Sequence, residues 1–305
     1  MLRRIITAAV AIPVAIVIIL LNNLYLYCAV VAALSAIAVY EMLLATEYLK
    51  NKAFTAISLV FVVSFPFILC VYPFRNRLEI ISGLFILALF GIMLFMHERV
   101  RFEQVSLVAF ISIAFPISLS CIPLSRLNYN KHAIFCIVFM LLVTWVGDAG
   151  AYFIGTFFGK HKMAPKISPK KSWEGFAGGI ICSGTAAYLI GWLYESNGPN
   201  FLYWLYGLFP HAMSGLEPSF IEASFEVDKF YLILIGLGCS VLGVMGDLCA
   251  SIIKRQCMVK DFGHIMPGHG GVLDRFDSVL LVAPFVYNAL MYLEPFKALF
   301  IRGIF

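Results

Sequence analysis

The sequence contains very little charge. Only 13% of its 305 residues are Asp, Glu, Lys or Arg, whereas 62% are hydrophobic. A soluble domain usually carries about a quarter charged residues, so this composition excludes an ordinary water-facing surface. We therefore predict an all-α polytopic membrane protein, with the lipid bilayer as its surroundings.

Several recognisable patterns are also missing. The eight cysteines show no CxxC or other zinc-like spacing, which favours buried thiols. No long basic arm is present, so we expect no nucleic-acid partner. No small-residue cleavage site follows the apolar N-terminal run, and we interpret this run as an uncleaved first span. No internal repeat of the kind found in many transporters occurs.

In place of charge, the sequence has long apolar runs. A helix needs about 17–25 apolar residues to cross a bilayer. We assign about five spans to an N-terminal membrane region, 1–130, and about four to a catalytic membrane region, 131–305. The nine predicted spans are 5–22, 24–45, 54–72, 80–96, 105–124, 132–154, 174–194, 230–250 and 277–300.

The distribution of Lys and Arg predicts how these spans are oriented. If the N-terminus lies inside, 15 of the 22 basic residues fall on inner segments, as the positive-inside rule requires. The C-terminus then lies outside. The two loops densest in polar residues, 155–173 and 251–276, both fall inside. In a bacterium this would be the cytoplasmic side of the inner membrane, where we expect the active site.

Two aspartates lie at membrane depth, near the inner ends of the sixth and eighth spans. Ionisable groups in such places are costly and usually face a protein interior or a watery cavity. In the eighth span, helical spacing places an aspartate, a serine and two cations on one face. The alternative is that these carboxylates only tie helices together. The residues are Asp148 in the sixth span, and Asp247, Ser251, Lys254 and Arg255 in the eighth.

The inner loop 155–173 ends in a pattern that suits a bound phosphate group. Pro165 and Pro169 prevent a helix from filling the loop. The next helix then starts with a serine cap, an acidic first turn and two preceding lysines, and free N–H groups at a helix start bind anions. Alternatively, the lysines only set the topology or contact anionic lipids. These residues are Lys170, Lys171, Ser172 and Glu174.

The second inner loop, 251–276, lies within the stretch "SIIKRQCMVKDFGHIMPGHGGVLDRFD" (251–277), which concentrates charge and glycine. Its glycines allow tight turns and a close approach of the backbone to a ligand. Oxygen-rich carboxylates beside cations suit Mg²⁺ and phosphates. Zinc bound through His264 and His269 is the competing interpretation, although no third soft ligand lies nearby. The charged residues are Lys254, Arg255, Lys260, Arg275, Asp261, Asp274 and Asp277.

This loop resembles the signature of the phosphatidate cytidylyltransferase family, also called CDP-diacylglycerol synthases. The match has no departure over 27 residues, and a second shared region of the family resembles residues 148–175. The matching signature positions are Ser251, Lys254, Arg255, Lys260, Asp261, Gly263, Met266, Pro267, His269, Gly270, Gly271, Val272, Asp274, Arg275, Phe276 and Asp277.

The resemblance implies that CTP and phosphatidate react to give CDP-diacylglycerol and pyrophosphate. It implies Mg²⁺ as the cofactor, with a second ion left open, and it is compatible with a homodimer. We expect the metal on Asp247 and Asp274 first, then on Asp148 and Asp277. The expected catalytic residues are Lys254, Arg255, Lys260, Asp261, His269 and Arg275. The expected substrate-binding residues are Lys170, Lys171, Ser172, Glu174, Ser251, Gly270 and Gly271.

Two other functions compete with this interpretation. A secondary transporter of an anionic solute could use the same buried charges, but the predicted outer loops hold few polar residues. A CDP-alcohol phosphotransferase would need a DGxxAR pattern followed by two further spaced aspartates, which does not occur.

Overall fold

The computed structural model describes residues 2–48, 51–70, 77–129, 132–208, 228–265 and 270–292. Most of them are helical, because a helix satisfies the backbone hydrogen bonds of an apolar run in lipid within the run itself. The helices are α1 (Leu2–Leu21), α2 (Leu24–Ala45), α3 (Lys52–Cys70), α4 (Leu78–Phe95), α5 (Phe102–Leu119), α6 (Cys121–Tyr129), α7 (Ala133–Phe158), α8 (Trp173–Leu208), α9 (Lys229–Gln256) and α10 (Leu273–Leu290).

Within this part of the chain, seven helical segments are long and apolar enough to cross a membrane. They agree with the predicted polytopic, helical architecture, and α2 has the same bounds as the predicted span 24–45. The predicted span 105–124 is longer in the structure, where α5 and α6 form one segment, Phe102–Tyr129. The total of nine spans and the orientation stay predictions. The end of the predicted span 277–300 lies outside the described residues.

Between the end of α7 at Phe158 and the start of α8 at Trp173, loop 155–173 contains no helix, as its two prolines predict, but it does contain a β-hairpin. Strand β1 (Lys162–Ala164) pairs antiparallel with β2 (Ser168–Ser172), so that Lys162 lies opposite Ser172. The purely helical prediction missed this hairpin. Strands this short, made largely of polar and small residues, give no run of alternating hydrophobicity from which they could be predicted.

The chain forms two compact units, which are interleaved in sequence. Unit 1 comprises Met1–Pro13, Leu24–Pro123 and Ile253–Phe276, and unit 2 comprises Val14–Asn23, Leu124–Ile252 and Asp277–Phe305. Helices α9 and α10 therefore contribute residues to both units. The predicted division at residue 130 stays a prediction.

In unit 1, α2 packs against α3 and α5, and α4 packs against α3 and α5. Large apolar side chains fill the contacts, and Val39, Leu43 and Val62 are fully buried. The rings of Phe61 and Phe85 stack with their centroids 4.0 Å apart. This packing holds α2 in place, and the C-terminal part of α2 carries a buried carboxylate described below.

In unit 2, α7 and α8 pack closely because small residues line their contact. A Cβ added at Gly150 would lie 2.5 Å from the sulfur of Cys182, and Gly147 faces Ser183 in the same way. The Ser183 hydroxyl donates a hydrogen bond across the contact to the Val143 carbonyl, at 3.2 Å. Small residues that allow backbones to approach are typical of helix pairs in membranes.

We predict that Gly150→Ala lowers the thermal unfolding midpoint of the detergent-purified protein by several degrees. The added methyl group overlaps Cys182, and overpacking of this kind costs about 1–3 kcal/mol. Gly83→Ala on α4 is the matched control, because an added Cβ there meets nothing within 4 Å. The control should be neutral or slightly stabilising, since Ala favours a helix over Gly by roughly 0.5–1 kcal/mol. Equal midpoints for the two variants would contradict the packing described for α7 and α8.

Candidate functional site

The part of the family signature that belongs to unit 1, Ile253–Phe276, is here called the signature loop. It is organised around an ion pair. The Lys254 ammonium lies 2.8 Å from Asp274 Oδ1, and both side chains are largely buried, with exposed fractions of 13% and 5%. Asp274 Oδ2 accepts hydrogen bonds from the backbone N–H groups of Phe262 (2.9 Å) and Gly271 (3.1 Å). Both carboxylate oxygens are thus engaged inside the loop. We call the residues Lys254, Phe262, Gly271 and Asp274 the loop cluster.

Two further features fix the shape of this loop. The Lys254 ammonium lies over the Phe262 ring, 5.3 Å from its centroid, which is a favourable cation–π contact. Gly270 has φ +84°, a left-handed conformation that favours glycine, and Asp261 and Asp274 lie beside it. The sequence prediction that glycines make tight turns here is therefore confirmed at Gly270.

A second cluster lies in unit 2, where the hairpin meets α9. The Lys171 ammonium pairs with Asp247 Oδ2 at 2.8 Å and also donates to the Val244 carbonyl at 3.2 Å. Asp247 Oδ1 accepts a hydrogen bond from the Ser251 hydroxyl at 3.4 Å. The Asp247 side chain is 38% exposed, far more than that of Asp274. We call Lys171, Asp247 and Ser251, together with Asp148, the hairpin cluster.

Asp148 belongs to the hairpin cluster through electrostatics and one hydrogen bond. It interacts electrostatically with Asp247 and Lys171, and it accepts a hydrogen bond from the Ser278 side chain. The predicted pair of aspartates at membrane depth is therefore brought together, with one lysine beside it. Asp277 lies next to this site in sequence, and its Oδ1 accepts the backbone N–H of Ser278 at 2.8 Å.

The start of α8 confirms the predicted serine cap. Ser172 Oγ accepts the backbone N–H of Gly175 at 3.2 Å, and Glu174 lies in the first turn. Glu174 is engaged by His161, which contacts its carboxylate through Nδ1 at 2.6 Å and through its backbone N–H at 3.2 Å. Glu174 therefore ties the beginning of the hairpin to the helix that follows it.

The remaining predicted site residues lie mostly at the surface. Four cationic side chains are exposed, and Asp261 is half-buried beside Gly270. Exposed cations near a glycine loop and a helix start can reach phosphate groups from water. They are Lys170, Arg255, Lys260 and Arg275. The predicted His269 lies outside the described residues.

The two clusters differ in how well they suit a metal ion. Among the described residues, no group of three or more His, Cys, Asp or Glu side chains is arranged to hold one. Mg²⁺ nevertheless needs only one or two carboxylates when substrate phosphates and water supply its other ligands. Asp148 and Asp247 fit that requirement. Asp274 fits it less well, because it is only 5% exposed and is held by Lys254 and the loop backbone, whereas Asp247 is 38% exposed.

One buried residue of unit 1 was missed by the sequence analysis. Glu41 on α2 is 1% exposed and accepts hydrogen bonds from the backbone N–H groups of Val272 (3.0 Å) and Leu273 (2.8 Å). The available signal was a single charged residue in an otherwise uncharged apolar span.

Comparison with known proteins identifies the family. The sequence model described as "Cytidylyltransferase family" matches residues 2–293. Phosphatidate cytidylyltransferases of Bacillus subtilis and Haemophilus influenzae are 39% identical over 160 residues and 35% identical over 154 residues. These matches cover 52% and 50% of this chain, and 49% and 45% of the relatives.

A third relative is covered more fully. The phosphatidate cytidylyltransferase of Rickettsia felis is 37% identical over 184 residues, which are 59% of this chain and 68% of the relative. The chain spans about half the length of the first two relatives and about two thirds of the third. The family model covers nearly all of the chain, and the chain therefore belongs to the cytidylyltransferase family.

Proposed function

We propose that the chain transfers the cytidylyl group of CTP to phosphatidate, releasing pyrophosphate and giving CDP-diacylglycerol for phospholipid biosynthesis. The observation that carries this proposal is the signature loop, folded around the largely buried Lys254–Asp274 pair. The described part of the chain also contains seven apolar helices of span length. Family membership and the names of the three relatives support the same activity.

The reaction exchanges one phosphoanhydride bond for another. A phosphatidate phosphate oxygen bonds to the α-phosphorus of CTP, and the bond from that phosphorus to the bridging oxygen of the β-phosphate breaks. Pyrophosphate leaves with the electron pair. The attacking oxygen is already anionic, so little general-base assistance is required. The main obstacle is repulsion between two polyanions, which fixed cations and precise positioning must overcome.

The contacts suggest a division of labour among the predicted site residues. We assign phosphate binding to the exposed cations Lys170, Arg255, Lys260 and Arg275, whose side chains can meet a ligand. The buried Lys254–Asp274 pair would instead hold the loop in its binding shape. In the hairpin cluster, Lys171 would neutralise Asp247 until a substrate phosphate competes for the ammonium group.

Asp247 and Asp148 are the residues that we propose to hold Mg²⁺, because they lie together and Asp247 is partly exposed. A bound Mg²⁺ would neutralise phosphate charge that develops during transfer. Ser251 keeps Asp247 in place through its hydroxyl, and Ser278 does the same for Asp148. This assignment places Asp247 first, as the sequence suggested, but prefers Asp148 to Asp274.

We further propose that the site faces the inner side of the membrane, which is the cytoplasmic side if the source is bacterial. The excess of Lys and Arg on the predicted inner segments supports this orientation. A site at this boundary could reach CTP from water and a two-chain lipid from the bilayer.

The proposed activity can be tested with purified protein, phosphatidate vesicles, Mg²⁺ and labelled CTP. We expect the label to enter a lipid-soluble product, and we expect Asp247→Asn to lower kcat by at least about 100-fold, a loss typical of removing one electrostatic contact to a transition state. Asp228→Asn is the matched control. Among the described residues, the Asp228 side chain accepts the N–H groups of Phe230 and Tyr231 at the start of α9, and Asn caps a helix equally well. Failure of wild-type protein to make the product, or wild-type kcat in Asp247→Asn, would refute the proposal.

The proposed metal site predicts how activity depends on divalent ions. EDTA should abolish product formation, and millimolar Mg²⁺ should restore it. Asp148→Asn should raise the Mg²⁺ concentration needed for half-maximal rate by about 10-fold or more, because one of two carboxylate ligands is lost. Asp228→Asn should leave that concentration unchanged. Restoration by micromolar Zn²⁺ in place of Mg²⁺ would instead support the zinc interpretation.

A further inference from the structure

Glu41 is the one charged residue of α2, and it is almost completely buried. Burying a carboxylate is costly unless hydrogen bonds or cations compensate for the lost water. The contacts of Glu41 therefore indicate what it does. Its hydrogen-bond partners Val272 and Leu273 belong, like Glu41 itself, to unit 1.

Both oxygens of Glu41 bind the backbone where α10 begins. Oε1 accepts the N–H of Val272 and Oε2 accepts the N–H of Leu273, the first residue of α10. The first N–H groups of a helix have no partner within the helix, and negative charge is favoured beside them. Val272 and Leu273 are 3% and 2% exposed, so the carboxylate satisfies donors that are shielded from water.

The glycines of the signature loop make room for this carboxylate. A Cβ added to Gly263 or to Gly271 would overlap the Glu41 carboxylate group. Two segments of the loop, one containing Gly263 and the other Gly271, thus pack against the Glu41 side chain. The small residues at these two positions are explained by contact with Glu41, without any need for a ligand there.

Glu41 and Asp274 accept hydrogen bonds from different backbone N–H groups of the loop. Asp274 accepts the N–H groups of Phe262 and Gly271, and Glu41 accepts those of the next two residues, Val272 and Leu273. Three consecutive backbone N–H groups, 271–273, are therefore held by carboxylates. Asp274 is in turn fixed by Lys254 at 2.8 Å. A shift of Glu41 would move the backbone to which Asp274 and Arg275 belong.

We propose that Glu41 is a positioning residue for the cytidylyl transfer reaction. It holds residues 271–273 in place and thereby orients the Lys254–Asp274 pair and the neighbouring Arg275. Glu41 itself touches no substrate in this proposal. The inference rests on the proposed function for its catalytic consequence, whereas its structural part can be measured independently.

Glu41→Gln tests the proposal with little change in size. One of the two terminal atoms of Gln is an NH₂ group, which cannot accept a hydrogen bond and would face a backbone donor. We expect kcat to fall by about 10- to 100-fold, as for misplacement of a positioned group by about 1 Å, while the KM for CTP changes less than about threefold. Backbone amides of residues 271–274 should also exchange with deuterium faster. Glu41→Asp retains both acceptor atoms and should recover part of the lost rate.

Val39→Ala separates positioning from simple loss of stability. Val39 lies on the same helix and is fully buried, but it is not part of the hydrogen bonds at the loop. This variant should unfold at a lower temperature yet retain kcat per folded enzyme within about twofold of wild type. A wild-type kcat in Glu41→Gln, or a rate that falls only with the folded fraction as in Val39→Ala, would overturn the proposal.

The two proposals fail in different ways. Wild-type protein that makes no cytidine lipid would contradict the proposed function, whatever Glu41 does. In that case deuterium exchange alone decides the role of Glu41 in the loop. Unchanged exchange at residues 271–274 in Glu41→Gln would then refute it.

Discussion

The hydrogen-bonded pair of Lys254 and Asp274 holds together a segment that has almost no regular structure of its own. Between the end of α9 and the start of α10, the described residues form neither a helix nor an extended sheet. Their buried N–H groups therefore need partners from side chains. Asp274 supplies two acceptor contacts and Glu41 supplies two more, so carboxylates replace the hydrogen bonds that a helix would have made.

This constraint explains why the signature combines aspartate, lysine and glycine. A carboxylate that accepts backbone N–H groups must come very close to the chain. For the Glu41 carboxylate, only residues without a Cβ leave enough space at positions 263 and 271, which are both Gly. The carboxylate also needs a nearby cation to offset its burial, and Lys254 provides it for Asp274. The residues that suggested a phosphate site in the sequence are thus also required for the structure of the loop.

The sequence predicted those features that depend on neighbouring residues. The bounds of α2 follow from one apolar run, and the Ser172 cap follows from the polar residues that precede α8. The contacts of Glu41 could not be predicted in this way. Glu41 lies 231 and 232 positions before its partners Val272 and Leu273 in the sequence. In addition, an average of hydropathy over α2 conceals a single carboxylate. The charge of the signature suggested Asp274 as a metal ligand, but it could not reveal that Asp274 accepts hydrogen bonds from Phe262 and Gly271 within its own loop.

Exposure offers a physical reason to assign different roles to carboxylates that look alike in the sequence. Asp274 is 5% exposed and has both oxygens bonded, so an incoming ligand would have to break the loop to reach it. Asp247 is 38% exposed, and its bond from Ser251 is long at 3.4 Å, so it can exchange partners at lower cost. The buried Lys254–Asp274 pair holds its ammonium group fixed within the loop, whereas the partly exposed Lys171–Asp247 pair leaves room for an anion to compete with the carboxylate for the ammonium group.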